Sequence, residues 1–177
     1  MTISLIGSRA TGKTTVGQQL AARLGWAFVD LDRELQLRAG KSITEIFAES
    51  GEPNFRQLES QLLVEHLLQD QLVISTGGGV VLDEMNRMQL QQSGPVIWLR
   101  ASVETIVERL RKDETTAASR PSLTGKDVDA EVAEILAARE PLYRETASLT
   151  VETDDRDVTG IVDEIISQLP DLGKGCW

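Results

Sequence analysis

A chain of 177 residues is long enough for one domain with a full core, and 41% apolar with 26% charged residues is the composition of a globular protein. No apolar run approaches a membrane span, the first residues already read as a strand rather than a signal peptide, and the lone cysteine, Cys176, cannot form an internal disulfide. A net charge of −10 without any basic run argues against nucleic acid as a partner, so a cytoplasmic protein free of membrane and nucleic acid is expected.

The first predicted strand, Thr2–Ile6, runs into Gly7-Ser8-Arg9-Ala10-Thr11-Gly12-Lys13-Thr14, a complete G-x-x-x-x-G-K-[ST] element. A helix over Thr14–Leu24 follows, with Val16, Leu20 and Leu24 on one face. Strand, glycine-bounded loop and helix together turn backbone N–H groups and a helix N-terminus toward one point. Such a nest binds phosphate: the amides cradle the anion, Lys13 reaches the β- and γ-phosphates, and the Thr14 hydroxyl can ligate Mg²⁺. The chain is therefore expected to bind a nucleoside triphosphate. Thirteen of its 18 basic residues are arginine, the side chain suited to bidentate contact with carboxylate and phosphate.

Further strands are predicted at Ala27–Val29, Leu72–Ser75, Val96–Leu99 and Leu149–Val151. Between them, Ser42-Ile43-Thr44-Glu45 is a capping box, Pro53 suits the first turn of a helix through Leu67, and Asp83 and Ser102 are candidate N-caps. Strands alternating with helices imply an α/β fold with a parallel sheet covered on both faces, and ligands bind beyond the carboxyl ends of such strands. Two segments exceed a simple crossover. Residues 31–68 hold two or three helices, and residues 112–127 are polar, small and aperiodic, which reads as a phosphate-covering lid with Arg120 at its centre. The end of the chain, from Pro170, has no period and is expected to be a mobile tail.

Several residues bear on the reaction. Asp30 and Asp32 lie two apart at a strand end and would point the same way if the strand continued; one suits water-mediated Mg²⁺ binding and the other an acceptor hydroxyl, the alternative being that Asp32 caps the next helix. Arg56 and Glu59 are spaced for an i,i+3 ion pair. Gly77-Gly78-Gly79 admits close approach of a ligand to backbone, or is a flexible connection. Pro141 inside a helical pattern bends it and re-aims Arg139, which is otherwise a solvated arginine. His66, the only histidine, lies among apolar neighbours and reads as structural.

Taken together, Gly7-x-x-x-x-Gly12-Lys13-Thr14-Thr15-x-Gly17, Phe28-Val29-Asp30-x-Asp32, Phe55-Arg56-x-x-Glu59, Gly77-Gly78-Gly79, Arg120-Pro121-x-Leu123-x-Gly125 and Arg139-x-Pro141-Leu142-Tyr143 resemble the shikimate kinase family, over roughly residues 2–168. The resemblance implies a P-loop NTPase fold of the nucleoside-monophosphate-kinase type: three layers, αβα, around a five-stranded parallel sheet, in a single domain over 1–170. That domain would carry a substrate-binding insertion near 31–60, a lid near 112–127 and a flexible tail at 171–177. It also implies Mg²⁺- and ATP-dependent phosphorylation of the shikimate 3-hydroxyl by a monomer. Carried onto this chain, Asp32 would contact the reacting diol, Arg56 and Arg139 the shikimate carboxylate, and Gly77, Gly78 and Gly79 the substrate through backbone, with Glu59 bracing Arg56. Lys13 and Arg120 would stabilise the transferring phosphoryl group; Thr14 and, through water, Asp30 would serve Mg²⁺; Arg109, with Arg111 as rival, would stack on adenine.

The pattern departs from the family twice, at Ala10, where glycine is usual and a positive φ would strain the loop, and at Ser122, where leucine is common. A gluconate kinase or a binding module that has lost catalysis is the alternative. The arginine pair argues against a neutral acceptor, and Lys13, Asp32, Arg56, Arg120 and Arg139 together argue against lost catalysis.

Overall fold

The computed structural model describes residues 1–112 and 128–172. Five parallel strands, β1 (Thr2–Ile6), β2 (Ala27–Asp30), β3 (Leu72–Ser75), β4 (Val96–Arg100) and β5 (Leu149–Glu152), form one sheet in the order β2-β3-β1-β4-β5. They are connected through α1 (Lys13–Leu24), α2 (Leu31–Ala39), α3 (Ile43–Leu67), a 3₁₀ turn (Val80–Leu82), α4 (Glu84–Ser93), α5 (Val103–Lys112) and α6 (Val128–Thr146), with α7 (Val158–Leu172) last. This is the three-layer αβα architecture of a P-loop NTPase. The last helix reaches Leu172, so regular structure continues past the expected start of the tail; the lid residues 113–127 and the segment 173–177 lie outside the described residues.

The sheet sorts its side chains by the two-residue period of a strand. Ile3 and Leu5 of β1, Val73 of β3, and Ile97 and Leu99 of β4 face one way, packing with Val16, Leu20 and Ala21 of α1 and Ile161, Val162 and Ile165 of α7. Ile6, Leu72, Ile74, Val96 and Trp98 face the other way, onto Leu62, Leu63, Leu90 and Tyr143 from α3, α4 and α6. Both faces are dry, as a parallel sheet requires, and each fully buried Leu or Ile contributes roughly 1.5–3 kcal/mol. A Cβ at Gly17 would sit 2.5 Å from the Phe28 ring and 3.1 Å from Leu5, so that glycine lets α1 lie close on the sheet.

Local chemistry sets the helix ends. Ser42 and Glu45 form the capping box, Asp83 accepts from the N–H groups of Met85 (2.7 Å) and Asn86 (3.2 Å), and Ser102 accepts from Thr105 N–H (3.2 Å). The expected two helices over 43–67 form one element interrupted at Gly51 (φ 76°), with Pro53 in the first turn after the break. Pro141 lies within α6, which is helical on both sides of it.

The consequence for function lies at one edge. Register pairs Leu5 of β1 and Asp30 of β2 with Ser75 of β3. The loops leaving β1, β2 and β3 thus emerge side by side.

Candidate active site

The segment after β1 closes into a tight loop. Gly7 (φ 139°) and Gly12 (φ 91°) adopt conformations open to glycine, and a Cβ at Gly7 would stand 2.5 Å from the Leu99 carbonyl. Ala10 is also left-handed (φ 59°), so the departure flagged in the sequence carries the strain anticipated for it, roughly 1 kcal/mol. Its methyl packs against the cluster of Ile106, Val107 and Val132 from α5 and α6. Gly12 caps α1 without a side-chain hydrogen bond, which leaves the first-turn N–H groups of α1 to a ligand. Lys13 is buried and folds over the loop, donating to the carbonyls of Gly7 (2.9 Å) and Ser8 (2.7 Å), while Thr11 Oγ1 donates to Ser8 O (2.9 Å).

Asp30 ends β2 beside this loop. Its Oδ2 accepts from Thr14 Oγ1 (2.6 Å) and Ser75 Oγ (3.1 Å), and its Oδ1 caps α2 through Arg33 N–H (3.1 Å). This corrects the expectation for the aspartate pair. The strand stops at Asp30 and α2 begins at Leu31, so Asp32 sits in the first helical turn and does not share a strand face with Asp30. It is Asp30, not Asp32, that caps the helix. Thr14, Asp30 and Ser75 form an oxygen-only cluster, the donor type that Mg²⁺ prefers, and no group of three or more His, Cys, Asp or Glu side chains offers a richer cage among the described residues.

The three glycines after β3 are the meeting point of the remaining residues. A Cβ at Gly77 would run into the Glu59 carboxylate and come within 2.9 Å of Asp32 Oδ1. At Gly78 it would lie 3.4 Å from Gly7 O, 3.6 Å from Arg9 N and 3.6 Å from Arg139 Nη1. At Gly79 it would enter the guanidinium of Arg56. Four segments distant in sequence therefore converge on one tripeptide; at Gly77 and Gly79 charged groups fill the space a side chain would need, while at Gly78 the neighbours stand at ordinary contact distance. Arg56 donates to Glu59 Oε2 (2.7 Å) and Glu52 Oε1 (3.1 Å) and stands 5.2 Å from the centre of the Phe55 ring. Burial works against the guanidinium charge, but Glu59 and Glu52 outweigh it and raise its pKa further. Glu59 itself is 2% exposed while Arg56 keeps partial contact with solvent, so the i,i+3 spacing marks a half-buried pair rather than a surface one.

On the far side of the phosphate loop Arg109 donates to Ala10 O (3.1 Å), Thr153 Oγ1 (3.3 Å) and Thr153 O (2.8 Å). Arg111 pairs instead with Asp129 (2.8 Å). Thr15 is exposed on the first turn of α1. Arg120 lies outside the described residues. His66 is buried in α3, its Nδ1 2.9 Å from Gln69 Nε2, away from the cleft loops.

Sequence reasoning gave no role to three supporting residues: Ser75 behind Asp30, Thr153 behind Arg109, and Tyr143, whose hydroxyl donates to Gly78 O at 2.5 Å. Only Tyr143 carried a signal, since a tyrosine on the apolar face of a helix must find a partner for its hydroxyl.

The shikimate kinase family profile matches residues 9–170. A shikimate kinase of Pseudomonas putida is 42% identical over 168 residues, 95% of each chain. The solved structure of shikimate kinase from Acinetobacter baumannii in complex with shikimate agrees with a TM-score of 0.89 at 36% identity, covering 99% of this chain and 95% of that one. A gluconokinase from Sinorhizobium meliloti shares the fold alone, at 17% identity and a TM-score of 0.56 over 98% of this chain and 93% of that one. With the phosphate loop, the paired arginines and the glycine triplet in one cleft, the chain belongs to the shikimate kinase family.

Proposed function

We propose that the cleft over the carboxyl ends of β1, β2 and β3 divides the shikimate kinase reaction between a nucleotide half and an acceptor half. The chain transfers the terminal phosphoryl group of ATP to the 3-hydroxyl of shikimate, giving shikimate 3-phosphate and ADP on the route to chorismate and the aromatic amino acids. In the nucleotide half, amides from Gly7 to Thr15 hold the phosphates and Lys13 neutralises the charge that develops on the transferring group. Arg109 stacks on adenine. Its guanidinium edge is already held by Thr153 and Ala10, which fixes the plane of the group, whereas Arg111 is engaged by Asp129. Thr14, and Asp30 through water, would hold Mg²⁺, which would supply positive charge to screen the phosphates. Arg120 would cover the phosphates from the 112–127 lid.

In the acceptor half, built on the 31–60 insertion, Arg56 and Arg139 grip the shikimate carboxylate, Glu59 braces Arg56, and Gly77–Gly79 supply backbone contacts. Asp32 takes the proton of the 3-hydroxyl as its oxygen attacks the γ-phosphorus and the bond to ADP breaks in line. The single observation that supports this reading is Gly78, which lies against both the phosphate loop and Arg139, so that a donor on the loop and an acceptor on Arg139 would be neighbours. The working unit is a single domain; it acts as a cytoplasmic monomer with small-molecule partners only, in keeping with its acidic charge. The test is ADP release with shikimate, quinate, gluconate and nucleoside monophosphates at equal concentration, with and without Mg²⁺. Turnover with shikimate and metal is expected. Turnover with gluconate or a nucleotide but not shikimate would overturn the assignment.

A further inference from the structure

The Gly78 carbonyl is held by a residue given no role so far. Tyr143 lies on α6 one turn beyond Arg139, is fully buried, and donates from its hydroxyl to Gly78 O at 2.5 Å. Its ring stacks on Trp98 of β4, the ring centres 5.7 Å apart and the planes inclined by 28°, so the hydroxyl cannot swing away. Burial pushes its pKa up to about 12, against the pull of the Arg139 charge; Arg139 Nη1 stands 3.6 Å from where a Cβ of Gly78 would lie, beside the carbonyl that the hydroxyl holds. The hydroxyl therefore remains a protonated donor across the working range of a kinase and sits between two elements of the acceptor half.

Geometry gives that hydroxyl leverage. No peptide bond in the described residues is cis, and the unit joining Gly78 to Gly79 is planar. Pinning the Gly78 carbonyl on Tyr143 therefore aims the Gly79 N–H the opposite way. Glycines have no side chain to set this plane by packing, so an external anchor is needed. We propose that Tyr143 is a positioning residue of the acceptor site: one hydroxyl sets the Gly78–Gly79 peptide plane and the Arg139 guanidinium relative to each other, and so fixes the spacing between the backbone donor and the cation that receive shikimate. The proposal rests on the reading that Gly78, Gly79 and Arg139 contact shikimate.

Tyr143 is the only tyrosine in the chain, so biosynthetic incorporation of 3-fluorotyrosine labels this position alone. Tyr143→Phe should raise KM for shikimate about 2- to 12-fold, the equivalent of one net hydrogen bond, with KM for ATP unchanged. Combined with Arg139→Ala its penalty should be sub-additive, because both changes act on one contact. The ¹⁹F resonance should shift on shikimate binding, and that response should vanish in Arg139→Ala. Since fluorotyrosine is nearly isosteric, the spectroscopic arm decides the matter even where Tyr143→Phe does not fold. A loss of Tm with unaltered shikimate KM and a silent resonance, while Arg139→Ala still weakens shikimate, would overturn the positioning role and leave the site reading intact. Equal rises in both KM values would also overturn it, as general loosening. If Arg139→Ala itself leaves shikimate binding unchanged, the site reading falls and the role of Tyr143 with it.

Discussion

Contiguous residues, Gly7 to Thr15, make most of the proposed nucleotide half of the cleft, whereas the proposed acceptor half draws on Asp32, Arg56, Glu59, Gly77–Gly79 and Arg139 from four separate segments. The first is built mainly from backbone: its shape depends on positive φ at Gly7, Ala10 and Gly12 and on the amides of the loop, with Gly7 leaving no room for a Cβ against the Leu99 carbonyl. The second is built from charged side chains packed against a tripeptide with none. Substitutions should therefore act differently in the two halves. In the nucleotide half only a few side chains should matter, and strongly. In the acceptor half the absence of side chains should matter as much as their presence.

The largest effect should come from the side chain that enters the nucleotide half. Lys13→Met should lower kcat by at least ~10³, measured by coupled ADP release at saturating substrates, because the reaction depends on electrostatic stabilisation of the transferring group. Asp32→Asn keeps shape but loses basicity, and a fall in kcat of ~10²–10⁴ is expected. A loss of ten-fold or less would show that Asp32 only positions the acceptor.

Gly79→Ala tests the acceptor half directly. The added methyl meets the far end of a flexible side chain, the Arg56 guanidinium, rather than backbone. The fold should therefore survive, with a small change in Tm, while the affinity for shikimate falls by up to about 150-fold as Arg56 is displaced. Intact shikimate binding in a well-folded Gly79→Ala protein would separate the glycines from the site. Arg56→Ala and Arg139→Ala should each weaken shikimate by about 10- to 150-fold and leave ATP affinity nearly unchanged. Lysine should rescue only in part, since it lacks the planar fork. Of the two, Arg56→Ala should cost more stability, because Glu59, only 2% exposed, loses the guanidinium beside it.

A smaller effect should appear outside both halves. Burial holds the His66 imidazole below its ordinary value of 6.5, with Glu65 pulling the other way. The unfolded chain then takes up a proton at a higher pH than the folded one, so the unfolded state binds more protons below 6.5 and stability falls as pH drops through that window. Tm should decline as the pH is lowered from 7 toward the folded value, and His66→Gln should flatten that part of the profile without changing kcat.

Different parts of the molecule were legible in the sequence for different physical reasons. The five strands, the phosphate loop and the caps at Ser42, Asp83 and Ser102 follow from local periodicity and side-chain-to-backbone bonding, and all appear where residue types place them. The position of Asp32 did not follow. Two residues of spacing mean one thing on a strand and another on a helix, and the switch at Leu31 depends on Asp30 turning its carboxylate to Arg33 N–H. The character of the Arg56–Glu59 pair was also hidden, because spacing shows that two residues can meet but not whether water reaches them. Tyr143, Thr153 and Ser75 each serve a partner at least 44 residues away, a distance over which pattern carries no information. Ala10 is the converse case: the sequence showed the departure, and the structure shows that the loop keeps its left-handed turn regardless.

The claim that orders this account is that Arg56 and Arg139 converge on one carboxylate. Binding of shikimate and of its methyl ester to the unaltered protein, Arg56→Ala and Arg139→Ala tests it most directly. The ester should bind the unaltered protein about 10- to 150-fold more weakly than shikimate, and each variant should bind shikimate with a similar loss. Ester and variant together should lose little more than either alone, because they remove the same interaction. If the two penalties simply sum, these arginines do not hold the carboxylate and the acceptor half has been assigned wrongly.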